Sequence, residues 1–194
     1  MTRIKRILIV TVIILISLAV GIGTHFLWNL WNEKTYPTTH EEIVTLYSEE
    51  YDVPKHLVFS VIKTESGFDP DARSSAGAVG LMQIMPSTFE WLTSREHLGE
   101  NLPLTKLTDP EVNIRYGTYY LRYLYEKFGN WDTALAAYNG GEGNVTEWLE
   151  DPEYSDGKGN LTYIPFEETR NYVKKVNDAM AQYEKLELSR SKRR

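Results

Sequence analysis

Residues 52–68 read DVPKHLVFSVIKTESGF. Pro54 suits the first turn of a helix and Gly67 the position just past its last, so the two bracket one helical segment. Between them Leu57, Val58, Val61 and Ile62 recur at helical spacing, and the next position on that apolar stripe is Glu65. The spacing predicts a buried helix that ends by aiming a carboxyl at the interior. Desolvation favours the neutral acid, which is the state a general acid needs near neutral pH. The opposing reading is that Glu65 frays outward, since charged residues are almost never fully buried without a partner. Periodicity by itself leaves both open.

The flanking segments carry the same punctuation. Thr38-Thr39-His40-Glu41-Glu42 offers overlapping capping boxes, which predict a helix from about His40. Pro86 opens a short helix through Trp91, Asp109-Pro110 starts a long one to Phe128 before Gly129, and another spans 132–138 before Asn139-Gly140-Gly141. A final amphipathic helix is expected over 167–186. Residues 69–80, rich in Gly, Ala, Ser and Asp, read as a loop, and 150–163 as a turn or small hairpin. There is no internal repeat and no alternation of strand and helix patterns. These segments imply a mainly helical single domain.

Upstream, 7–26 is an almost unbroken aliphatic run of 20 residues, about the length that crosses a bilayer core of ~30 Å. Arg3, Lys5 and Arg6 precede it and Trp28 and Trp31 follow, the flanks of a segment whose N-terminus stays in the cytoplasm. A cleaved signal peptide, with Ala19 and Gly21 as small residues before the cut, is the competing reading, and a buried core helix a third. The expected organisation is a basic N-terminus (1–6), a transmembrane signal-anchor (7–31), a linker (32–39), a catalytic domain (40–186) and a basic tail (187–194), with everything after Trp31 exported.

The composition narrows the chemistry. The 194 residues contain no cysteine, which removes disulfides, thiolate zinc sites, cysteine nucleophiles and a lipidated N-terminal cysteine. Four scattered histidines make a histidine metal cluster unexpected. The net charge of -6 hides a segregation: without the seven basic residues near the termini, 14 Lys and Arg face 27 Asp and Glu. Such a body repels nucleic acid. Asp151, Glu153, Ser155 and Asp156 hint at calcium, but a closing Glu is replaced by Thr162 and the sixth position lacks glycine. Gly140, Gly141 and Gly143 follow no strand, which rejects a nucleotide loop. Calcium, nucleotide and any other cofactor are therefore not expected.

Two further segments are unusual. Gly77-Ala-Val-Gly80 leads into Leu81-Met82-Gln83-Ile84-Met85-Pro86, where a flexible turn delivers an amide between two methionines. Ala136-Ala137-Tyr138-Asn139-Gly140-Gly141 puts Tyr and Asn where a helix stops. Each has a bland reading, as core filler or helix stop. Tyrosines 116, 119, 120, 123 and 125 crowd one helix; such rings suit sugars, yet the five cannot all share a face.

Taken in order, these features resemble the soluble lytic transglycosylase (SLT) domain family, relatives of goose-type lysozyme, over about residues 36–183. Glu65-Ser66-Gly67-Phe68 is similar to the family's catalytic glutamate and following serine, Gly80-Leu81-Met82-Gln83 to its second motif, and Ala137-Tyr138-Asn139-Gly140 to its third. Asn113-Ile114, Gly117 and Tyr120-Leu121 resemble its central helix, and Glu168-Thr169-Arg170-Asn171-Tyr172-Val173 its closing helix, whose tyrosine lines the site. The resemblance implies a lysozyme-like fold and cleavage of the β-1,4 bond between N-acetylmuramic acid and N-acetylglucosamine in peptidoglycan. It implies Glu65 as acid and then base, with Ser66, Met82, Gln83, Tyr138, Asn139 and Tyr172 holding the sugars, no metal, and a 1,6-anhydro product. The expected partners are glycan strands and the cytoplasmic membrane, with the catalytic domain on its outer side. A hydrolytic muramidase using the same glutamate is the nearest alternative, and an inactive peptidoglycan-binding protein the alternative of another class.

Overall fold

The structure, a computed structural model, describes residues 3–94 and 96–191. It divides into two compact units, Met1–Thr38 and Thr39–Arg194. The first is a single helix, α1 (Arg3–Thr35), which includes four residues expected to be linker. No proline interrupts it, and Pro37 disfavours helix at the residue before it, which accounts for a stop near Thr35. Its aliphatic side chains are exposed, the Trp28 and Trp31 rings stack at 5.4 Å, and Arg3–Asn32 is long and apolar enough to cross a membrane.

The second unit is built from seven helices among the described residues: α2 (Glu41–Glu50), α3 (Lys55–Glu65), α4 (Pro86–Thr93), α5 (Pro110–Phe128), α6 (Trp131–Gly140), α7 (Glu142–Glu150) and α8 (Glu167–Ser191). A 3-10 turn over Leu104–Thr108 precedes α5. The mainly helical class read from the pattern holds, with three isolated antiparallel bridges and no strand among the described residues. One of them, Ser155 to Leu161, is the small hairpin expected over 150–163, and Asp156 closes its turn by accepting from the Lys158 and Asn160 amides.

Three details differ from the sequence reading. The capping boxes do not form: His40 stands at the N-cap of α2 with φ 65° and no side-chain cap, and the helix starts at Glu41 nonetheless. Glu41 and Glu42 in its first turn suit the positive end of the helix dipole. The helix α7 was not anticipated, because Gly141 and Gly143 make its start read as loop. Burial of Val145 and Trp148 on one face favours it, and the Asn144 side chain donates to the Gly140 carbonyl at 2.7 Å. Finally, α8 continues to Ser191, so the expected basic tail of 187–194 is helical at its beginning, while Lys192, Arg193 and Arg194 lie outside the described residues.

The core assembles on α3. Leu57, Val58, Val61 and Ile62 have no exposed surface, and α3 packs against α2 and along α8. At roughly 1.5–3 kcal/mol per buried aliphatic side chain, these four hold the helix in one rotation about its axis. That rotation decides where Glu65 points. A second anchor is Asn113 in the first turns of α5, wholly buried. Its amide donates to the Val79 and Leu107 carbonyls at 3.0 and 2.7 Å, and its oxygen accepts from the Met82 amide at 2.7 Å. Gly80 lies against this amide with φ 83°, and a Cβ there would overlap both Asn113 and the Leu107 carbonyl. Gly117, one helical turn on, leaves room for the Met82 thioether in the same way. The 79–84 loop is thus pressed onto α5 by one polar clamp and two missing side chains.

Candidate active site

Glu65 is the last residue of α3, half-buried, and the chain turns away immediately behind it. Ser66 makes that turn rigid. Its hydroxyl lies 2.8 Å from the Leu81 carbonyl and 3.1 Å from that of Ile62, and accepts from the Phe68 amide at 3.1 Å. A hydroxyl has one proton to donate. The group is therefore taken up in tying the end of α3 to the 79–84 loop, and it serves as a clasp beside Glu65 rather than a free sugar contact.

Across from Ser66 the same loop presents its backbone. Gln83 adopts φ 47° and its amide nitrogen donates to the Gly80 and Ala72 carbonyls at 2.9 and 3.1 Å, closing the turn and leaving its oxygen without a partner among the described residues. Met82 is fully buried against Gly117, which corrects the expectation that its side chain touches substrate. Its carbonyl is the group that matters, for it accepts the Tyr138 hydroxyl at 2.8 Å. Tyr138 and Asn139 stand in the last turn of α6, two residues and one residue short of its end, and the Asn139 side-chain amide makes no hydrogen bond among the described residues.

The remaining wall comes from the start of α8. Tyr172 is buried, and its hydroxyl has no partner of regular hydrogen-bond geometry; its proton is free for the Glu65 carboxylate beside it. Glu168 lies one turn earlier on the same face, exposed, near enough for its charge to act on Glu65. Burial pushes the Glu65 carboxyl up to about 7; Tyr172 pulls against that shift and the Glu168 carboxylate adds to it. No Lys or Arg among the described residues forms an ion pair with Glu65 to restore an ordinary value. Burial, and then the charge of Glu65, hold Tyr138 and Tyr172 well above the usual phenol range, so both stay neutral hydrogen-bond donors. Chemically this is one carboxyl that can give up a proton near neutrality and take one back, inside a shell of neutral polar groups.

Of the residues predicted for the site, Ser66 adjoins Glu65, the Glu65 charge acts on Tyr138 and Tyr172, and the Tyr138 hydroxyl reaches the Met82 carbonyl next to Gln83, while Asn139 follows Tyr138 in the last turn of α6. The outward-fraying alternative for Glu65 is not what the structure shows. Two neighbours went unassigned in the sequence reading. Glu168 is four residues before Tyr172, a spacing that puts both on one helix face and could have identified it. Tyr120 stands three residues beyond Gly117 on α5, and its ring lies 5.3 Å from that of Tyr138.

Comparison with known proteins gives the family and the fold. The sequence profile described as "Transglycosylase SLT domain" matches residues 42–160. The chain is 37% identical over 151 residues to the soluble lytic murein transglycosylase of Salmonella typhimurium, covering 76% of this chain and 23% of that protein. It is 31% identical over 172 residues to the membrane-bound lytic murein transglycosylase C of Edwardsiella ictaluri, covering 75% and 46%. Among solved structures, the 70 kDa soluble lytic transglycosylase of Escherichia coli superposes with a TM-score of 0.71 at 34% identity, over 81% of this chain and 26% of that one. An inactive glutamate-to-glutamine mutant of the lytic transglycosylase Slt of Pseudomonas aeruginosa gives 0.69 at 35% identity, over 78% and 25%. The chain thus spans about a quarter of the length of the soluble relatives, and its fold is the lysozyme-like one that the motifs implied.

Proposed function

Because this chain belongs to the transglycosylase SLT domain family, we propose that it is a membrane-anchored lytic transglycosylase of peptidoglycan. Glu65 protonates the oxygen that links N-acetylmuramic acid to N-acetylglucosamine, and the bond from that oxygen to the anomeric carbon breaks. The neighbouring acetamido oxygen of the substrate stabilises the electron-poor carbon, as in substrate-assisted glycosidases. Glu65, now a carboxylate, takes the proton of the muramyl 6-hydroxyl, whose oxygen closes a 1,6-anhydro ring on the anomeric carbon. The proton count balances, Glu65 returns to its acid form, and no water is consumed.

The observation that carries this reading is the Glu65 carboxyl, paired with no cation among the described residues and held up to about 7 by burial. A group with that value can act in both directions near neutral pH. Tyr172 offers its hydroxyl to the carboxylate between the two steps, Tyr138 props the Met82 carbonyl and lines the sugar site, and the Gln83 side-chain oxygen, whose nitrogen is taken up by the Ala72 and Gly80 carbonyls, and the Asn139 amide are suited to sugar hydroxyls and acetamido groups. Ser66 positions Glu65. The inactivity of the glutamine mutant in the Pseudomonas relative supports a single-glutamate reaction. The apolar run of α1, with Arg3, Lys5 and Arg6 in the first turns of the helix and Trp28 and Trp31 near its end, supports a single membrane crossing with the SLT domain on the outer face.

Mass spectrometry of purified peptidoglycan digested by residues 35–194 tests the reaction. Anhydromuramic ends are the expected product. Reducing ends would show a hydrolytic muramidase, and strand binding without any new ends a protein that only holds the wall.

A further inference from the structure

The tyrosines of α5 do not all behave alike. Tyr116 is wholly buried and packs its ring against Phe89, as a core residue does, and Tyr125 turns away to stack on Trp131 at 4.2 Å. Tyr119, Tyr120 and Tyr123, at helical spacing on one face, stay half-buried. They are joined by two side chains from outside α5: Trp91 of α4, whose ring lies 6.2 Å from Tyr120 and 5.0 Å from Tyr123, and His97, 3.9 Å from Trp91. His97 in turn meets the Tyr119 hydroxyl at 3.1 Å. Because Tyr120 is also 5.3 Å from Tyr138, the rings form a connected ribbon that starts at the candidate site and leads away from it.

The far end opens into a groove of about 300 Å³ between the turn that follows α2 and the exposed side of α5, lined by Tyr51, Tyr119 and Tyr123 together with Arg122 and acidic side chains. Arg122 is already held by Asp52 and Glu126, so the groove offers no unpaired cation to an anionic ligand. The Tyr120 hydroxyl makes no hydrogen bond among the described residues, although its ring is largely enclosed. Half-buried rings with polar tips, in a setting that disfavours anions, suit a neutral chain of hydroxylated rings.

We propose that this ribbon is a glycan track: sugars of the same strand that is cut at Glu65 lie along Tyr120, Trp91 and Tyr123 and reach the Tyr51–Tyr119 groove, so that the protein reads strand length several sugars away from the bond it breaks. The inference rests on the proposed reaction for the identity of the ligand. Continuity with Tyr138 is what assigns the track to the glycan rather than to a separate partner.

Titration calorimetry of the Glu65→Gln protein with peptide-free glycan strands whose lactyl carboxyls are capped as amides, and which are therefore neutral, tests the track without turnover. Affinity should rise between a tetrasaccharide and strands three times as long, and adding Trp91→Ala should remove about tenfold of the gain, the effect of losing a stacked ring. Affinity that does not rise with length, or that rises equally in the Trp91→Ala protein, overturns the track. Should Trp91→Ala fail to fold by circular dichroism, Tyr119→Ser at the far end carries the same comparison. Failure of the reaction itself reads out separately: wild-type protein that yields no anhydro ends defeats the proposed chemistry whatever the binding series shows, and a flat binding series leaves anhydro ends intact.

Discussion

The two ends of α3 meet the same partner helix and treat a carboxylate in opposite ways. At the N-terminal end, Glu187 of α8 lies between Lys55 and His56, with Lys55 also reaching Glu41. Lys55 leads in holding Glu187 below the ordinary carboxylate range, and His56 contributes. At the C-terminal end, Glu65 faces Tyr172 and Glu168 of the same α8, pairs with no cation among the described residues, and is pushed up to about 7. The packing of α3 on α8 is continuous, so the difference arises from the side chains supplied at each end. Matched charge at an exposed end tolerates solvent and secures the pairing of helices; a lone carboxyl at an enclosed end is thermodynamically unfavourable when charged and chemically useful for that reason.

The sharpest way to break this comparison is to remove the proton from the enclosed end. Glu65→Gln keeps the shape of the side chain, and turnover should fall by about 100-fold or more, since that is what general acid catalysis typically contributes. Activity above about a tenth of wild type would remove Glu65 as the acid. In the wild type, kcat/KM should decline as pH rises through about 7, where the acid form is lost; a profile flat from pH 6 to 8 would count against the same assignment.

The same substitution should leave a mark on stability, with a definite sign. A carboxyl whose folded value is raised binds more protons in the native than in the unfolded state, so its ionisation weakens the fold as pH climbs from the ordinary value of 4.5 to about 7. Glu65→Gln removes that penalty. The variant should therefore be more stable than wild type at pH 8, by roughly 2 kcal/mol, and indistinguishable from it at pH 4. Thermal melts at both values decide, and a gain of equal size at the two pH values would mean that something other than ionisation is responsible.

A smaller effect is expected at Tyr138, beside the enclosed end. Its hydroxyl is bonded to the Met82 carbonyl, so Tyr138→Phe leaves an acceptor unsatisfied and should cost roughly 1–2 kcal/mol of stability while also lowering activity. Full activity with reduced stability would confine Tyr138 to a supporting role under the 79–84 loop. The smallest effect belongs to the matched end. Glu187 is about half exposed, and exposed ion pairs contribute little, so Glu187→Gln should change stability by less than about 1 kcal/mol and leave turnover alone. Its pH dependence should run opposite to that of Glu65: the contribution of Glu187 is present at neutral pH and disappears on acidification through the carboxylate range. A large loss of activity in Glu187→Gln would show that the two ends are coupled through α8.

The stretch 52–68 contains, in its own letters, the start, the end and the buried face of α3, because proline, glycine and a helical apolar period are local properties. The same holds for Asp109, which caps α5 by accepting from the Glu111 amide, and for Asn130, which caps α6. The capping boxes before α2 failed on local grounds too: His40 takes a left-handed conformation, in which the expected side-chain cap is absent. For α7 the letters mislead. Glycines near a helix start weaken local preference by about 1 kcal/mol each, and burial of Val145 and Trp148 outweighs it.

What the sequence by itself determined is that Glu65 ends an amphipathic helix on its apolar side, within a mainly helical domain that follows one long apolar segment. Its motifs also named the segments that gather at that carboxyl. Tertiary structure alone decided the role of each gathered residue. Ser66 and Met82 look like ligand contacts in the chain, yet one clasps the 79–84 loop and the other fills the space over Gly117, because a hydroxyl can give its proton only once and a glycine leaves a gap that a neighbour fills. The carboxyl at about 7 is likewise a property of assembly. It depends on desolvation by side chains from α6 and α8, on Tyr172, and on the Glu168 charge, which lie more than 70 residues away along the chain and become neighbours only when α8 packs along α3.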